Sequence, residues 1–171
     1  MKKMDFRTDI LPLKNELYRL ALRITLNPAD AEDVVQDTMI KVWKKREQWD
    51  KIESIEAFCL TICRNLAIDK TRKADNQSEQ LSENDDPPDL SYTSNPEEQA
   101  VQKDRVSLVR QLIDSLPEKQ RSCMQLRDIE GKSYKEIADV IGINEQQVKI
   151  NIFRARQAIK QKFIETEKYG L

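Results

Sequence analysis

From Asp75 to Pro96 this chain has little from which to build a core. The stretch is mostly Asn, Gln, Ser, Glu, Asp and Pro, and Pro87-Pro88 in its middle bars a continuous helix. It reads as a flexible acidic linker over 76–95, so the 171 residues divide into an N-terminal unit, 1–75, and a C-terminal unit, 96–171. Units this short are only marginally stable alone, which favours stabilisation by partners. Of the whole chain, 39% is hydrophobic, 35% is charged and only 3 residues are glycine. That balance suits helices with thin cores and broad solvated faces. The expected fold class is all-α, two small helical domains joined by the acidic linker.

The formal net charge of −1 hides an uneven distribution. Residues 1–73 carry 15 basic and 12 acidic side chains, and residues 101–171 carry 14 and 10. Residues 74–100 carry 8 acidic side chains and no basic one. Two mildly basic units thus flank an acidic connector, which is either a passive tether or a segment with a charge-based role.

Several function classes drop out. The chain has no histidine, which removes Ser–His and Cys–His catalysis and histidine metal sites. Three glycines cannot build a phosphate-cradling loop. Cys59 and Cys63 lie one helical turn apart on an apolar face and read as packing residues; with Cys123 they form an odd set without metal-ligand spacing. No cofactor, metal or catalytic constellation is expected. No apolar run is long enough to span a bilayer, and Met1 to Asp9 is charged and lacks the apolar segment of a secretion signal. The expectation is a cytoplasmic protein with no membrane insertion.

The N-terminal unit shows helical periodicity throughout. Leu13, Leu17, Leu20 and Ile24 mark a first helix that ends at Asn27-Pro28. A second runs from Asp30 to about Lys45, with Ala31, Val34, Val35, Thr38, Val42 and Trp43 inward. A third spans about Ser54 to Lys73 on a stripe of Ile55, Phe58, Cys59, Ile62 and Leu66. Trp43 and Phe58 are assigned to the core. Trp49 also fits a core place. In the C-terminal unit, Val101, Leu108, Val109 and Leu112 line a helix from about Pro96 to Leu116, and Pro117 starts the next.

The sharpest signal follows. Ser133-Tyr134-Lys135-Glu136 is a capping box opening a helix that stops at Gly142. Asn144, with Gln147 three residues on, caps a second, longer helix. Short helix, three-residue turn and long helix are the plan of a DNA-binding helix-turn-helix. At about 100° per residue, Val148, Ile152, Ala155, Ile159 and Phe163 fall on one side and form the core face. Gln146, Lys149, Ile150, Phe153 and Arg154 fall on the other side. Ile150 and Phe153 suit a major groove, where apolar groups meet thymine methyls and Gln or Lys reach base edges. Five basic residues and no acidic one lie between Lys149 and Lys162, Arg156 among them, enough to follow a phosphate backbone.

The N-terminal unit narrows the class. Asp30-Ala-Glu-Asp-Val-Val-Gln-Asp-Thr-Met-Ile-Lys-Val-Trp43 resembles the polymerase-binding helix of sigma-70 family factors, and Ala57 to Lys73 resembles their promoter-melting helix. Leu116-Pro-Glu-Lys-Gln-Arg121, Glu136-Ile-Ala and Val148 to Arg156 resemble the domain that reads the −35 element. Length and the two-unit plan look like the extracytoplasmic-function (ECF) group. The resemblance implies promoter-specific initiation of transcription without chemistry by this chain.

On that resemblance, Asp30, Glu32, Asp33, Gln36 and Asp37 meet the β′ clamp of core RNA polymerase, whose surface must be complementary. The β subunit is implied as a further polymerase contact. Arg64, Asn65, Lys70, Arg72 and Lys73, with the preceding loop from Trp49 to Glu53, hold single-stranded DNA at −10, with Asn65 as the polar contact and the cations on the backbone; Trp49 is then a DNA contact instead of a core residue. Gln146, Lys149, Ile150, Phe153, Arg154 and Arg156 read double-stranded DNA at −35. An anti-sigma factor is a further implied partner, and the linker resembles a connector that threads toward the RNA exit path. A charge-based role for that linker predicts that neutralising Asp85, Asp86 and Asp89 alters the ratio of abortive to full-length transcripts. Two departures stand out: Ile150 and Asn151 occupy places where the group often has a small residue and then Arg, so the −35 sequence cannot be copied from relatives. The melting helix is also less aromatic than that of housekeeping factors, which implies dependence on well-matched promoters. A stand-alone helix-turn-helix regulator and a sigma-like decoy are the competing classes.

Overall fold

In the computed structural model the backbone is described for residues 3–81 and 97–168, and side chains for 3–75 and 105–168. All regular elements among these residues are helical. They are α1 (Lys14–Thr25), α2 (Pro28–Lys44), α3 (Ile55–Leu81), α4 (Glu97–Asp114), α5 (Glu118–Met124), α6 (Tyr134–Ile141) and α7 (Glu145–Lys168). A π turn (Phe6–Ile10) and a 3₁₀ turn (Leu11–Leu13) lead into α1, a 3₁₀ turn (Arg46–Lys51) joins α2 to α3, and a π turn (Gln125–Ile129) follows α5.

Helices α1, α2 and α3 pack on one another around Leu17, Leu20, Ala21, Ile24, Ala31, Val34, Val35, Val42, Cys59 and Cys63, all buried. Each such fully enclosed aliphatic side chain contributes about 2 kcal/mol of transfer free energy. The α1–α2 corner takes two residues. Leu26 closes α1 in a left-handed conformation, φ 58°, its N–H bonding Leu22 O at 2.9 Å. Asn27 then caps α2 by accepting the N–H of Asp30 at 3.0 Å, with Pro28 at the first helical position, where its missing N–H costs nothing. Asn27-Pro28 therefore opens the second helix as well as ending the first.

Two core assignments need correction. Trp43 is 48% exposed, because Val42 fills the inward place and the next residue is carried about 100° round the helix. It stands on the rim, edge-on to Phe6 and to Trp49, with the Arg46 guanidinium 4.7 Å from its ring. Trp49 is the buried tryptophan, its indole N–H donating to Val42 O at 3.0 Å. Phe58 packs half-buried at the core edge. The inward stripe of α3 is also displaced: Cys59, Leu60, Cys63 and Ala67 are buried, while Ile55, Ile62 and Leu66 are only partly so. Helix α3 is enclosed on two sides, since Leu60 faces Leu126, Ile137 and Val140 of the C-terminal unit across a narrow crevice.

The C-terminal unit folds around Leu116, Cys123, Leu126, Ile137, Ile141, Val148, Ile152 and Ala155. Both reciprocal bonds of the Ser133–Glu136 capping box form, each at 3.1 Å. Gly142 closes α6 at φ 81°, a left-handed conformation that leucine or lysine would adopt only under strain. Asn144 and Gln147 repeat the reciprocal cap on α7, at 3.1 and 2.7 Å. The two units share a continuous apolar cluster. Of the expected linker 76–95, residues 76–81 continue the backbone of α3, and the remainder, with Asp85, Asp86 and Asp89, lies outside the described residues.

Candidate nucleic-acid and polymerase interfaces

Helix α7 turns Val148, Ile152 and Ala155 inward, so the residues about 100–240° away must face out. Gln146, Lys149, Ile150, Phe153, Arg154 and Arg156 are all exposed, with Ile150 at 40% and Phe153 at 62%. Five of these six, all but Arg154, line one open groove together with Ile152 and Tyr134. Tyr134 was not singled out from sequence. It is the first residue of α6, directly after the Ser133 cap that fixes where the helix begins. Arg127 lies 4.3 Å from the centre of that ring and the Lys149 ammonium 5.2 Å, so one tyrosine ring holds two cations beside the groove. Arg156 forms a forked pair with Asp128, Nε to Oδ2 at 3.2 Å, which holds its guanidinium above its ordinary pKa and fixes its direction.

The acidic set on α2 is likewise outward. Glu32, Asp33, Gln36 and Asp37 are exposed and Asp30 is partly covered. Ile40, 52% exposed, and Trp43 extend the same side C-terminally. Sequence reading missed Ile40; its signal is an apolar residue four places after an exposed glutamine.

The basic set on α3 is divided. Asn65, Arg72 and Lys73 are exposed along its outer side. Lys70 is partly exposed and lies 3.4 Å from Asp33, a surface pair worth little. Arg64 is not with them. It is 8% exposed and turned into the seam between the units, where Nε and Nη2 each bond Glu118 at 2.9 Å and Nη1 reaches Ile141 O at 3.4 Å. In this arrangement it is closed to DNA.

The seam is polar elsewhere too. Arg23 bonds Asp114 at 2.8 Å, and burial holds that carboxyl above its ordinary pKa despite the arginine. Arg19 grips both oxygens of Glu130. Lys132, in the loop before α6, pairs with Glu16 at 3.0 Å and also with Glu56. Five of the seven ion pairs among the described residues thus join the two units.

Among the described residues no group of three or more His, Cys, Asp or Glu could hold a metal ion, and no helix is long and apolar enough to cross a membrane. Burial pushes the thiols of Cys59 and Cys63 up to about 12 and that of Cys123 to about 11.

Comparison with known proteins agrees with this layout. Residues 10–77 match the family profile described as sigma-70 region 2, and residues 107–159 that described as sigma-70, region 4. The ECF RNA polymerase sigma factor SigL of Mycobacterium tuberculosis is 32% identical over 84% of this chain and 80% of its own length. SigE of Mycolicibacterium smegmatis is 33% identical over 85% of this chain, which spans only 56% of that relative. SigW of Bacillus subtilis is 27% identical over 92% of this chain and 88% of its own length. In three dimensions the fold is similar to that of the sigma factor RpoE of Bartonella quintana, solved with the anti-sigma factor NepR: TM-score 0.71 and 22% identity, over 92% of this chain and 95% of that one. Two region-specific profiles in the right order, and relatives aligned along most of the chain, make this protein a member of the sigma-70 family, in its ECF group of RNA polymerase sigma factors.

Proposed function

We propose that this chain is a promoter-reading subunit of RNA polymerase, acting in the cytoplasm and performing no chemistry of its own. The outward side of α2, from Glu32 to Asp37 with Ile40 and Trp43 beyond, docks on the β′ clamp, and further contacts fall on the β subunit. The exposed side of α7 reads the −35 duplex, and Asn65, Lys70, Arg72 and Lys73 hold the opened −10 strand. The polymerase makes the RNA. The observation that carries this reading is the outward side of α7, where Lys149 and Arg156 line one groove with Ile150 and Phe153, and Arg154 is exposed beside it, on a helix seated by a double-capped turn.

Reading both elements requires the units to part. Positions −35 and −10 lie about 25 base pairs apart, on the order of 85 Å of duplex. A compact chain of this length has a radius of gyration of only about 15 Å. The closed seam, with Arg64 inside it, is therefore the form away from the promoter, and opening releases Arg64 to the −10 set. An anti-sigma factor that prefers the closed form would hold the chain inactive, since a ligand shifts an equilibrium by its differential affinity.

The test is run-off transcription with purified core polymerase on the DNA upstream of the chain's own gene. Discrete new transcripts are expected, and they vanish when Lys149 and Arg154 are both replaced by Glu. Polymerase binding without any promoter-directed transcript would leave a decoy. Duplex binding without polymerase binding would leave a plain regulator.

A further inference from the structure

We propose that the −35 specificity of this chain rests on thymine methyl groups, read by an apolar shelf formed by Ile150 and Phe153. The inference rests on the reading above, that α7 enters the major groove, and names what it recognises there.

The exposed side of α7 offers few free polar readers. Gln147 is spent on the cap, its side chain accepting the Asn144 N–H at 3.1 Å. Asn151 turns its amide back along the helix and donates to Gln147 O at 2.8 Å. Arg156 is held by Asp128, and Lys149 leans over Tyr134. Gln146, Ile150, Phe153 and Arg154 remain, and two of these four are apolar. Ile150 and Phe153 are three residues apart, hence neighbours on one side of the helix; Gln146 lies between them in angle, one turn before Ile150, and Arg154 lies at the edge of the outward arc.

Between bases in a major groove the apolar feature is the C5-methyl of thymine; the other edges are hydrogen-bond donors and acceptors. Pressing such a polar edge against isoleucine and phenylalanine strips its water and gives nothing back. The branched Cβ of Ile150 limits its freedom to swing away. The shelf thus favours thymine by contact and disfavours cytosine or guanine by desolvation. Its surroundings point to DNA rather than an apolar protein surface, since no acidic residue interrupts the cations from Lys149 to Lys162.

The experiment uses holoenzyme assembled from core polymerase and the full chain. It selects −35 sequences from a randomised duplex pool, then compares the selected duplex carrying deoxyuridine in place of thymidine, a change that deletes only the methyl. Thymine fixed at one or two −35 positions is expected, with about fourfold weaker binding for each methyl removed. Ile150→Ala and Phe153→Ala should still bind through the cations but bring the thymidine-to-deoxyuridine ratio near one. Gln146→Ala should weaken binding and keep that ratio. A selected −35 element without thymine, or one that binds equally well with deoxyuridine, would overturn the methyl inference and leave −35 reading intact. Polymerase binding with no enrichment at −35 would overturn the underlying reading instead.

Discussion

Arg64 of α3 and Glu118 of α5 form a forked pair, two bonds of 2.9 Å, that ties the basic side of the first unit to the base of the second. Glu118 is steadied in turn by the Ser122 hydroxyl, which donates to it at 2.8 Å. The pair is the most enclosed ionic contact made by the candidate DNA residues, and while it holds, Arg64 faces the seam and not solvent.

Replacing Glu118→Gln should loosen the seam. The amide keeps the size of the side chain but leaves the Arg64 charge enclosed without a counter-charge. The Glu118 side chain keeps 24% of its exposure, so the discounted cost is about 1–2 kcal/mol. Small-angle scattering of the free protein should give a radius of gyration near 15 Å for the parent chain and a larger one for the variant. Equal compactness of the two would show that the pair does not hold the units together.

Charge reversal on α2 should act on polymerase and leave the fold alone. Asp37→Lys alters an exposed position with no ion pair among the described residues, unlike Asp33, which faces Lys70. Affinity for core polymerase should fall by about tenfold at low salt, with a smaller gap at high salt as screening grows. An unchanged dissociation constant would remove α2 from the docking surface.

Leu26 offers a gain in stability. It holds a left-handed φ of 58° while 47% exposed, so the conformation carries strain and the side chain repays little by packing. Leu26→Gly should relieve about 0.5–1 kcal/mol and raise the melting temperature by about 1–4 °C. A lower melting temperature would mean that the contacts of Leu26 outweigh its backbone cost.

The thiols should be silent in the folded protein. Burial pushes Cys59 and Cys63 up to about 12 and Cys123 to about 11, so near pH 8 hardly any thiolate exists and no thiol is accessible. All three should react with a thiol reagent only after denaturation. The folded state also holds these protons more tightly than the unfolded chain. That stabilisation is complete below the ordinary thiol value of about 8.5 and is lost as pH rises toward 11–12. Denaturant midpoints should decline from pH 8 to pH 10.5; a flat profile would contradict the shifts.

Local structure was legible from sequence wherever short-range chemistry decides it. Ser133 with Glu136, Gly142, and Asn144 with Gln147 specify a helix, a left-handed stop and a second helix through bonds spanning three residues, and all of them form. The inward stripe of α7 followed from helical spacing alone, because Val148, Ile152 and Ala155 have one core to face. The same spacing misplaced the stripe of α3, which has two neighbours. Leu60 and Arg64 lie one turn apart and both turn to the second unit, a direction set by contacts with residues 54 or more positions away. Periodicity reports that a residue is apolar or charged, not what stands opposite it. Hence the chain by itself determined its helices, its caps and the outward side of α7. Only the tertiary structure decided that Trp49 rather than Trp43 is enclosed, that Tyr134 joins the groove, and that Arg64 is held by Glu118, because each depends on which surfaces meet once the helices have packed.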